Sequence, residues 1–537
     1  MKSRRLGRAL AGGVGLVLAG TLAGVPAGTA SADSDRATQS KPAKPGKPGK
    51  DQRAVMKRYL ADTWRSFEAL TPRSTGLPAD NIGGDLDPAT RSGYTSPTNI
   101  GAYLWSTVVA RDTGLISRNE AHRRMKRTLT TLSGMQRHEG SGMFYNWYDE
   151  TTGERLEVFP GDEAELEQFL SSVDNGWLAT GLLIAGNADK RLARQADAVR
   201  ESMDFSCFYN PDEGQGGQMR GGFWDEPTTN DAAVTGDYCG MGQDVWYTGH
   251  HYGAFNSESR IASYVAIAAG QVPAKHYFGT FRTFPGDTCD WSWTEAPPVG
   301  RWERHRGVDV FQGALRYRGM QVVPSWGGSM FEALMVPLFV PEDRWGKRSW
   351  GRNHPLFVKG QIEHGMEEAG YGYWGFSPSN DPAGGYREYG VDALGLDGAG
   401  YTSDQERTDW EQPWEECGRA GEPAPTAADY GDGVVTPHAS FLAMRFAPRQ
   451  ALRNLANIRE DFGAYGPGGF YDAVGTRSGD VSREYLALDQ GMIVAALGNA
   501  LADDTLREHT ARGGMERRLK PVMGLETFNV RDREGRR

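Results

Sequence analysis

The sequence predicts an all-α fold, a ring of helical hairpins joined by long loops. Three observations predict it. Apolar residues recur with a 3.6-residue period along much of the chain, and only short strands are expected. Glycine-rich, aromatic-rich stretches separate these segments, and 71 glycines with 15 Trp and 21 Tyr imply irregular loops with aromatic linings. Beyond residue 53 there is no second Pro-rich linker and no short repeat, so residues 54–537 are expected to form a single domain. In such a ring the loops at one end form a cleft, and many helix starts point toward that end.

Each element has its own justification. Residues 54–70 carry Val55, Tyr59, Leu60, Trp64 and Phe67 close to one helical face. Residues 99–110 and 118–132 follow the same period, and Val173, Trp177, Leu178 and Leu182 mark a further helix. Ile261, Val265 and Ala268 mark another, which Gly270 and Pro273 end. Met330, Leu334 and Met335 belong to a short helix stopped by Pro337. Residues 441–457 and 493–501 form the late helices. Long loops are expected at 140–154, 214–253 and 381–432, with a short strand at 142–147.

The ends and the composition narrow the function. Lys2, Arg4, Arg5 and Arg8 precede an apolar Gly/Ala-rich stretch, and Ala30-Ser31-Ala32 supplies small residues for cleavage. Residues 1–32 therefore read as a signal peptide, and a secreted, extracellular protein is expected. There is no cysteine at the cleavage point for a lipid anchor. Residues 33–53 are rich in Lys, Pro and Gly and read as a disordered tether. No later segment is long and apolar enough to span a bilayer, so no membrane association is expected after signal cleavage. The formal charge of −10 and the scattered basic residues argue against nucleic acid as a partner. A monomer is expected.

Cys207, Cys239, Cys289 and Cys417 are the only cysteines, an even number that allows two disulfides in an exported chain. Three pairings are open, and Cys207–Cys239 with Cys289–Cys417 is the working choice. No CxxC pair occurs, His250-His251 is too close-set for a ligand motif, and the acidic residues do not follow a calcium-loop pattern. No metal and no cofactor are expected.

Two carboxylates sit in unusual company. Glu258 lies in Asn256-Ser257-Glu258-Ser259-Arg260, and Glu332 in Ser325-Trp326-Gly327-Gly328-Ser329-Met330-Phe331-Glu332. Each is near the start of an apolar, helix-like run with aromatic and glycine-rich segments around it. Carboxylates among Trp and Tyr suit sugar cleavage, which needs an acid to protonate a leaving oxygen and flat faces to stack on pyranose rings. The plainer alternative is that Glu in a first turn complements the helix dipole.

The segment from Asn256 to Gly270 resembles the Ser-Glu-Ala-Arg segment of the C-terminal domain of cyclic β-1,2-glucan synthases. It is similar also to the related bacterial endo-β-1,2-glucanases, a glucoamylase-like domain. The run from Ser325 to Glu332 resembles their Trp-Ser/Gly-Gly-Ser/Thr-Met-Phe-Glu signature, and Tyr373-Trp374-Gly375-Phe376-Ser377 their Trp-Gly element. Further similar blocks are Ser172-Val173-Asp174-Asn175-Gly176-Trp177-Leu178, Val435-Thr436-Pro437-His438-Ala439-Ser440, Gly469-Phe470-Tyr471-Asp472 and Leu488-Asp489-Gln490-Gly491. They occur in family order from about residue 170 to 500.

The resemblance implies an (α/α)6 toroid, a poly- or oligosaccharide partner, and hydrolysis of β-1,2-glucan or a related β-glucan. Glu258 matches the family's general acid. One departure bears on mechanism. The transglycosylating relatives carry a nucleophilic glutamate in a Ser-Glu-Ser context, where this chain has Ser377-Pro378-Ser379. Proline cannot attack an anomeric carbon, so hydrolysis with inversion is expected, with a second carboxylate activating water. Asp472 and Asp489 are candidates for that base. Asp174 binds sugar hydroxyls or serves as the base itself. Glu332 is a cleft residue or a helix-start residue tied to backbone amides. Trp326, Tyr373 and Trp374 stack on glucose rings or fill the toroid core, and Trp374, next to glycine, looks the more cleft-like. The segment 284–317, with Cys289, Trp291, Trp293 and Trp302, is longer than the corresponding family loop and is expected to shape preference for substrate length. Loss of catalysis with retained glycan binding, or hydrolysis of another glycan, are the alternative functions on the same fold.

Overall fold

The computed structural model describes residues 49–161, 165–289, 294, 296–396 and 412–533. The expected signal peptide, most of the tether, Trp291 and Trp293 lie outside the described residues. The first half of the chain forms helices α1 (Lys50–Leu70), α2 (Pro97–Asp112), α3 (Arg118–Gly134), α4 (Ser172–Ala188), α5 (Ala193–Glu201) and α6 (Arg260–Ala269). The second half adds α7 (Met330–Leu334), α8 (Glu342–Trp345), α9 (Trp350–Glu363), α10 (Pro437–Ala443), α11 (Pro448–Phe462), α12 (Ala487–Leu501) and α13 (Thr505–Thr510).

Two kinds of helix alternate, and the difference is written in their side chains. In α2 every residue from Pro97 to Ala110 is buried, and α4 and α12 are nearly as apolar all round. A helix without a polar face must be covered on every side. In α3 only Ala121, Met125, Thr128, Leu129 and Leu132 are buried, one stripe at helical spacing, and α11 and α5 are striped likewise. The apolar helices pack in sequence: α6 on α4, α4 on α2, α2 on α12, α12 on α10, and α10 on α7. The striped helices lie outside them, α1 on α12, α3 on α2, α5 on α4 and α11 on α10. The result is a helical toroid with a few short strands. Glycine sets the closest contact. A Cβ on Gly181 of α4 would stand 2.7 Å from the Gly101 Cα of α2, so the two helices meet backbone to backbone.

Several expectations need correction. The first helix begins at Lys50, so the tether ends before residue 50. The span 441–457 is split, because Pro448 starts a new helix after α10. Helix α9 was not expected, since Pro355 inside it masks the period. The loop 214–253 contains most of a four-stranded antiparallel sheet in the order Phe169–Ser171, Gly222–Trp224, Asp244–Tyr247, Val234–Asp237. Strands of three or four residues show too little alternation to be read. The strand expected at 142–147 reduces to an isolated bridge at Asn146, with Tyr148 bridged just beyond it. Segment 284–317 carries the antiparallel pair Trp302–His305 and Val308–Phe311. Cysteine pairing follows the working choice, Cys207 with Cys239 and Cys289 with Cys417.

Candidate active site

Helix starts deliver the carboxylates. Ser171 caps α4 by accepting the Asp174 backbone N–H (3.1 Å), and Ser329 caps α7 by accepting that of Glu332 (3.3 Å). Both acids therefore sit in a first turn. Glu258 lies two residues before the start of α6. The turn before α7 requires glycine: Gly328 has a φ of +63°, and a Cβ there would collide with the Val391 carbonyl.

These segments bring Glu258 and Glu332 together. The Glu332 carboxylate accepts the backbone N–H of Glu258 at 2.6 Å. Glu258 Oε2 accepts the Trp177 indole N–H at 2.7 Å. Glu332 is buried at 8 % exposure, whereas Glu258 is half-buried and keeps an opening to solvent although protein surrounds its carboxyl. Burial first, and then the neighbouring Glu332 charge, hold the Glu258 carboxyl well above the usual carboxylate range, with Asp174 and Glu388 adding to the shift. Burial pushes Glu332 up to about 7, opposed by hydrogen bonds from the Glu258 amide and the Ser257 hydroxyl. Those donors favour charge on Glu332, so the pair places its proton on Glu258. Asp174 accepts the Thr98 hydroxyl at 2.6 Å and stands within charge reach of Glu258.

A second carboxyl pair lies at Asp472 and Asp489, only 2 % and 5 % exposed. Asp472 accepts the Asn380 backbone N–H at 2.7 Å. The His438 Nδ1 is 2.9 Å from Asp489 and 2.8 Å from the Thr436 hydroxyl, and its Nε2 meets the Ser377 hydroxyl at 2.8 Å. Burial lowers His438 to about 4, so the imidazole is neutral at pH 7. Burial, then the Asp489 charge, raise Asp472 well above its ordinary range, and burial lifts Asp489 to about 7. The two carboxyls titrate as a unit that retains one proton near neutrality. Ligating atoms of His438, Asp472 and Asp489 lie within 4.8 Å of one another, close enough to hold a cation, a grouping that no sequence spacing announced. Among the described residues, Asp472 Oδ1 and Asp489 Oδ2 have no hydrogen-bond partner there.

The hairpin that pairs Ser379–Asn380 with Tyr386–Arg387 connects the two pairs electrostatically. Tyr386 is 52 % exposed, yet its hydroxyl stands deep among protein atoms. That enclosure, and after it the charges of Glu388, Asp489, Asp472 and Glu258, push the hydroxyl well above the ordinary phenol range.

The remaining expected residues divide. Trp326 is half-buried, and its backbone N–H donates to the Asn256 carbonyl, two residues before Glu258. Tyr373 bonds Asp461 through its hydroxyl (2.7 Å) and packs edge-on against Phe462 at the end of α11. Trp374 lies in the main apolar core at 2 % exposure, which corrects the expectation that it faces the cleft. An aromatic beside a glycine does not reveal which way the chain turns. Pro378 is buried between Ser377, bonded to His438, and Ser379. Sequence reasoning missed Trp177 as a donor, His438, Tyr386 and Glu388. Trp177 and His438 stood inside quoted blocks, and position in those blocks was their only signal.

Comparison with known proteins agrees with this architecture. Residues 301–510 match the Glycoamylase family model, and residues 58–223 match a family of proteins of unknown function, DUF3131. The chain is 25 % identical, over 581 aligned residues and 84 % of its length, to the cyclic beta-(1,2)-glucan synthase NdvB of Rhizobium meliloti (strain 1021), of which it spans 18 %. The fold is similar to that of an endo-beta-1,2-glucanase from Chitinophaga pinensis solved with sophorotriose and glucose. The TM-score is 0.58 at 18 % identity, covering 88 % of this chain and 98 % of that one. It is similar also to the endo-beta-1,2-glucanase of Talaromyces funiculosus solved with sophorose, at a TM-score of 0.59 and 10 % identity, covering 90 % and 91 %.

Proposed function

We propose that this chain is a secreted glycoside hydrolase that cleaves β-1,2-glucan or a closely related β-glucan with inversion of the anomeric centre. The observation that carries the reading is the Glu258 carboxyl, half-buried, bonded by the Trp177 indole and set against the buried Glu332, where burial and that neighbouring charge raise it well above the usual carboxylate range. The likeness to two endo-β-1,2-glucanases and to a cyclic β-(1,2)-glucan synthase supports the substrate class.

In this mechanism Glu258 gives its proton to the glycosidic oxygen as the bond to the anomeric carbon breaks. Water attacks that carbon from the opposite face and loses a proton to a second carboxylate. We read the base as the Asp472–Asp489 pair, reached through a water, a sugar hydroxyl or the Tyr386 hydroxyl. Pro378 offers no nucleophile, which supports a single displacement. Asp174 and Trp326 are read as sugar-binding groups. Glu332, whose carboxylate is occupied by the Glu258 amide, is read as the charge partner of the acid.

Helices α2, α4, α6, α7, α10 and α12 are read as the inner ring of an (α/α)6 toroid. The Glu258–Glu332 contact closes it between α6 and α7. The reading includes export directed by residues 1–32, a tether up to residue 49, one catalytic domain and a monomer without metal, nucleic acid or membrane. Burial of Asp472 and Asp489 favours one competitor, a glycan-binding protein without turnover.

A panel of purified β-glucans tests the proposal. Hydrolysis of β-1,2-glucan is expected, and proton NMR of the earliest product, read before mutarotation, is expected to show the α-anomer. Binding without turnover supports the competitor. An initial β-anomer overturns inversion.

A further inference from the structure

Behind the acid pair lies a buried guanidinium that the reaction itself does not use. Each of the five N–H groups of Arg260 is bonded. Nε and Nη2 hold the two Glu342 oxygens at 2.8 and 3.1 Å, and Nη2 also donates to the Ala333 carbonyl at 2.9 Å. Nη1 donates to two backbone carbonyls, Ser257 at 2.6 Å and Glu332 at 2.9 Å. One nitrogen thus ties the segment bearing the acid to the segment bearing its partner carboxylate. The guanidinium lies over the Trp350 ring, 4.9 Å from its centroid.

We propose that Arg260 is a positioning residue that locks the Glu258 and Glu332 segments together and so keeps the catalytic proton on Glu258. The inference rests on the proposed role of Glu258 as general acid. Ionisation of both carboxyls would drive them apart, and a tie between their backbones opposes that. The direction of the guanidinium matters as much as its presence. Aimed at the Glu258 carboxyl, it would favour the ionised form and remove the acid. Its charge is instead matched by Glu342, which the Tyr264 hydroxyl (2.8 Å) and His354 (3.1 Å) also hold in place. The groups facing Glu258 are then Glu332 on α7, Asp174 and Trp177 on α4, Tyr252 before α6, and Glu388 with Tyr386 from the hairpin side. All but Trp177 are acidic or phenolic. Lysine cannot replace this device, because a compact ammonium does not span two carbonyls and a carboxylate with a planar fork.

The Trp177 indole N–H, bonded to Glu258, reports the proton directly. Its 1H–15N resonance is assigned by its loss in Trp177→Phe and followed against pH in the full-length protein and in Arg260→Lys. The midpoint is expected to fall by about one pH unit in Arg260→Lys, as the segments part and water reaches Glu258. The basic limb of the pH–rate profile moves with it. The kcat is expected to fall by roughly 10- to 100-fold with KM within about twofold, the pattern of a misplaced catalytic group. Tyr264→Phe removes one hydrogen bond from Glu342 and is expected to move both midpoints the same way by a smaller amount. An unchanged indole midpoint in folded Arg260→Lys overturns the proposal. If that variant does not fold, an unchanged midpoint in Tyr264→Phe overturns it. Wild-type protein that hydrolyses no glucan defeats the functional reading alone, because the indole titration still tests the clamp.

Discussion

The Glu258–Glu332 and Asp472–Asp489 pairs use the same chemistry in different surroundings. Both are buried carboxyl pairs, and in both burial raises the pKa. In the first, hydrogen-bond donors converge on Glu332, while Glu258 keeps an opening to solvent. In the second, both members are sealed, with one backbone amide on Asp472 and a neutral imidazole beside Asp489. Glu342 supplies a third case. It is fully buried, yet the charge of Arg260 and the hydrogen bonds from His354 and Arg260 overcome the cost of burial and lower it to about 2. Burial therefore sets the stakes, and the neighbours set the direction. An acid catalyst needs donors on its partner, and it needs an exit for its own proton.

The comparison can be broken most sharply at Glu258. Glu258→Gln is expected to lose about 10²–10⁴-fold in turnover of β-1,2-glucan while folding and glucan binding persist. Turnover close to wild type on a natural linkage removes Glu258 as the acid. Asp489→Asn asks whether the sealed pair takes part in chemistry. A loss of about 10²-fold with an undiminished melting temperature is expected if the pair is the base. Unchanged turnover makes the pair structural.

Stability against pH tests both pairs. Burial pushes Glu332 and Asp489 up to about 7 in the fold, against ordinary values of 4.5 and 3.8. The native state then binds more protons than the unfolded chain between those limits. Their contribution is fully present below about pH 4 and is lost as pH rises to about 7. The melting-temperature differences of Glu332→Gln and Asp489→Asn from wild type are expected to shift in the variants' favour by a few degrees over that range. Differences that stay constant show that these carboxyls are ionised throughout. The smallest effect belongs to Trp177→Phe, which removes the donor that favours charge on Glu258. The basic limb of the pH–rate profile is expected to move up by about half a unit, the worth of one modest hydrogen bond. Movement downward shows that the indole serves another group.

Much of the chemistry was legible because it lies at helix starts. Asp174 and Glu332 occupy first turns, and a carboxylate just before an apolar run can be seen without coordinates. Trp374 was not legible, because its burial depends on helices distant in sequence. The Arg260–Glu342 clamp joins residues 82 apart, and its role appears only once α6, α7 and α8 are side by side.

By itself the sequence determined the helical period, helix ends such as Gly270 and Pro337, the absence of a nucleophile at Pro378 and the identity of the candidate carboxylates. These depend on short-range rules, on side-chain spacing within a turn or two. Only the tertiary structure decided which carboxylate faces which, and where the proton rests. Glu258 and Glu332 are 74 residues apart, and the backbone N–H of the first meets the carboxylate of the second at 2.6 Å. A charge interaction and a desolvation cost depend on separation in space and on what encloses the group, and the packing of the inner helices sets both.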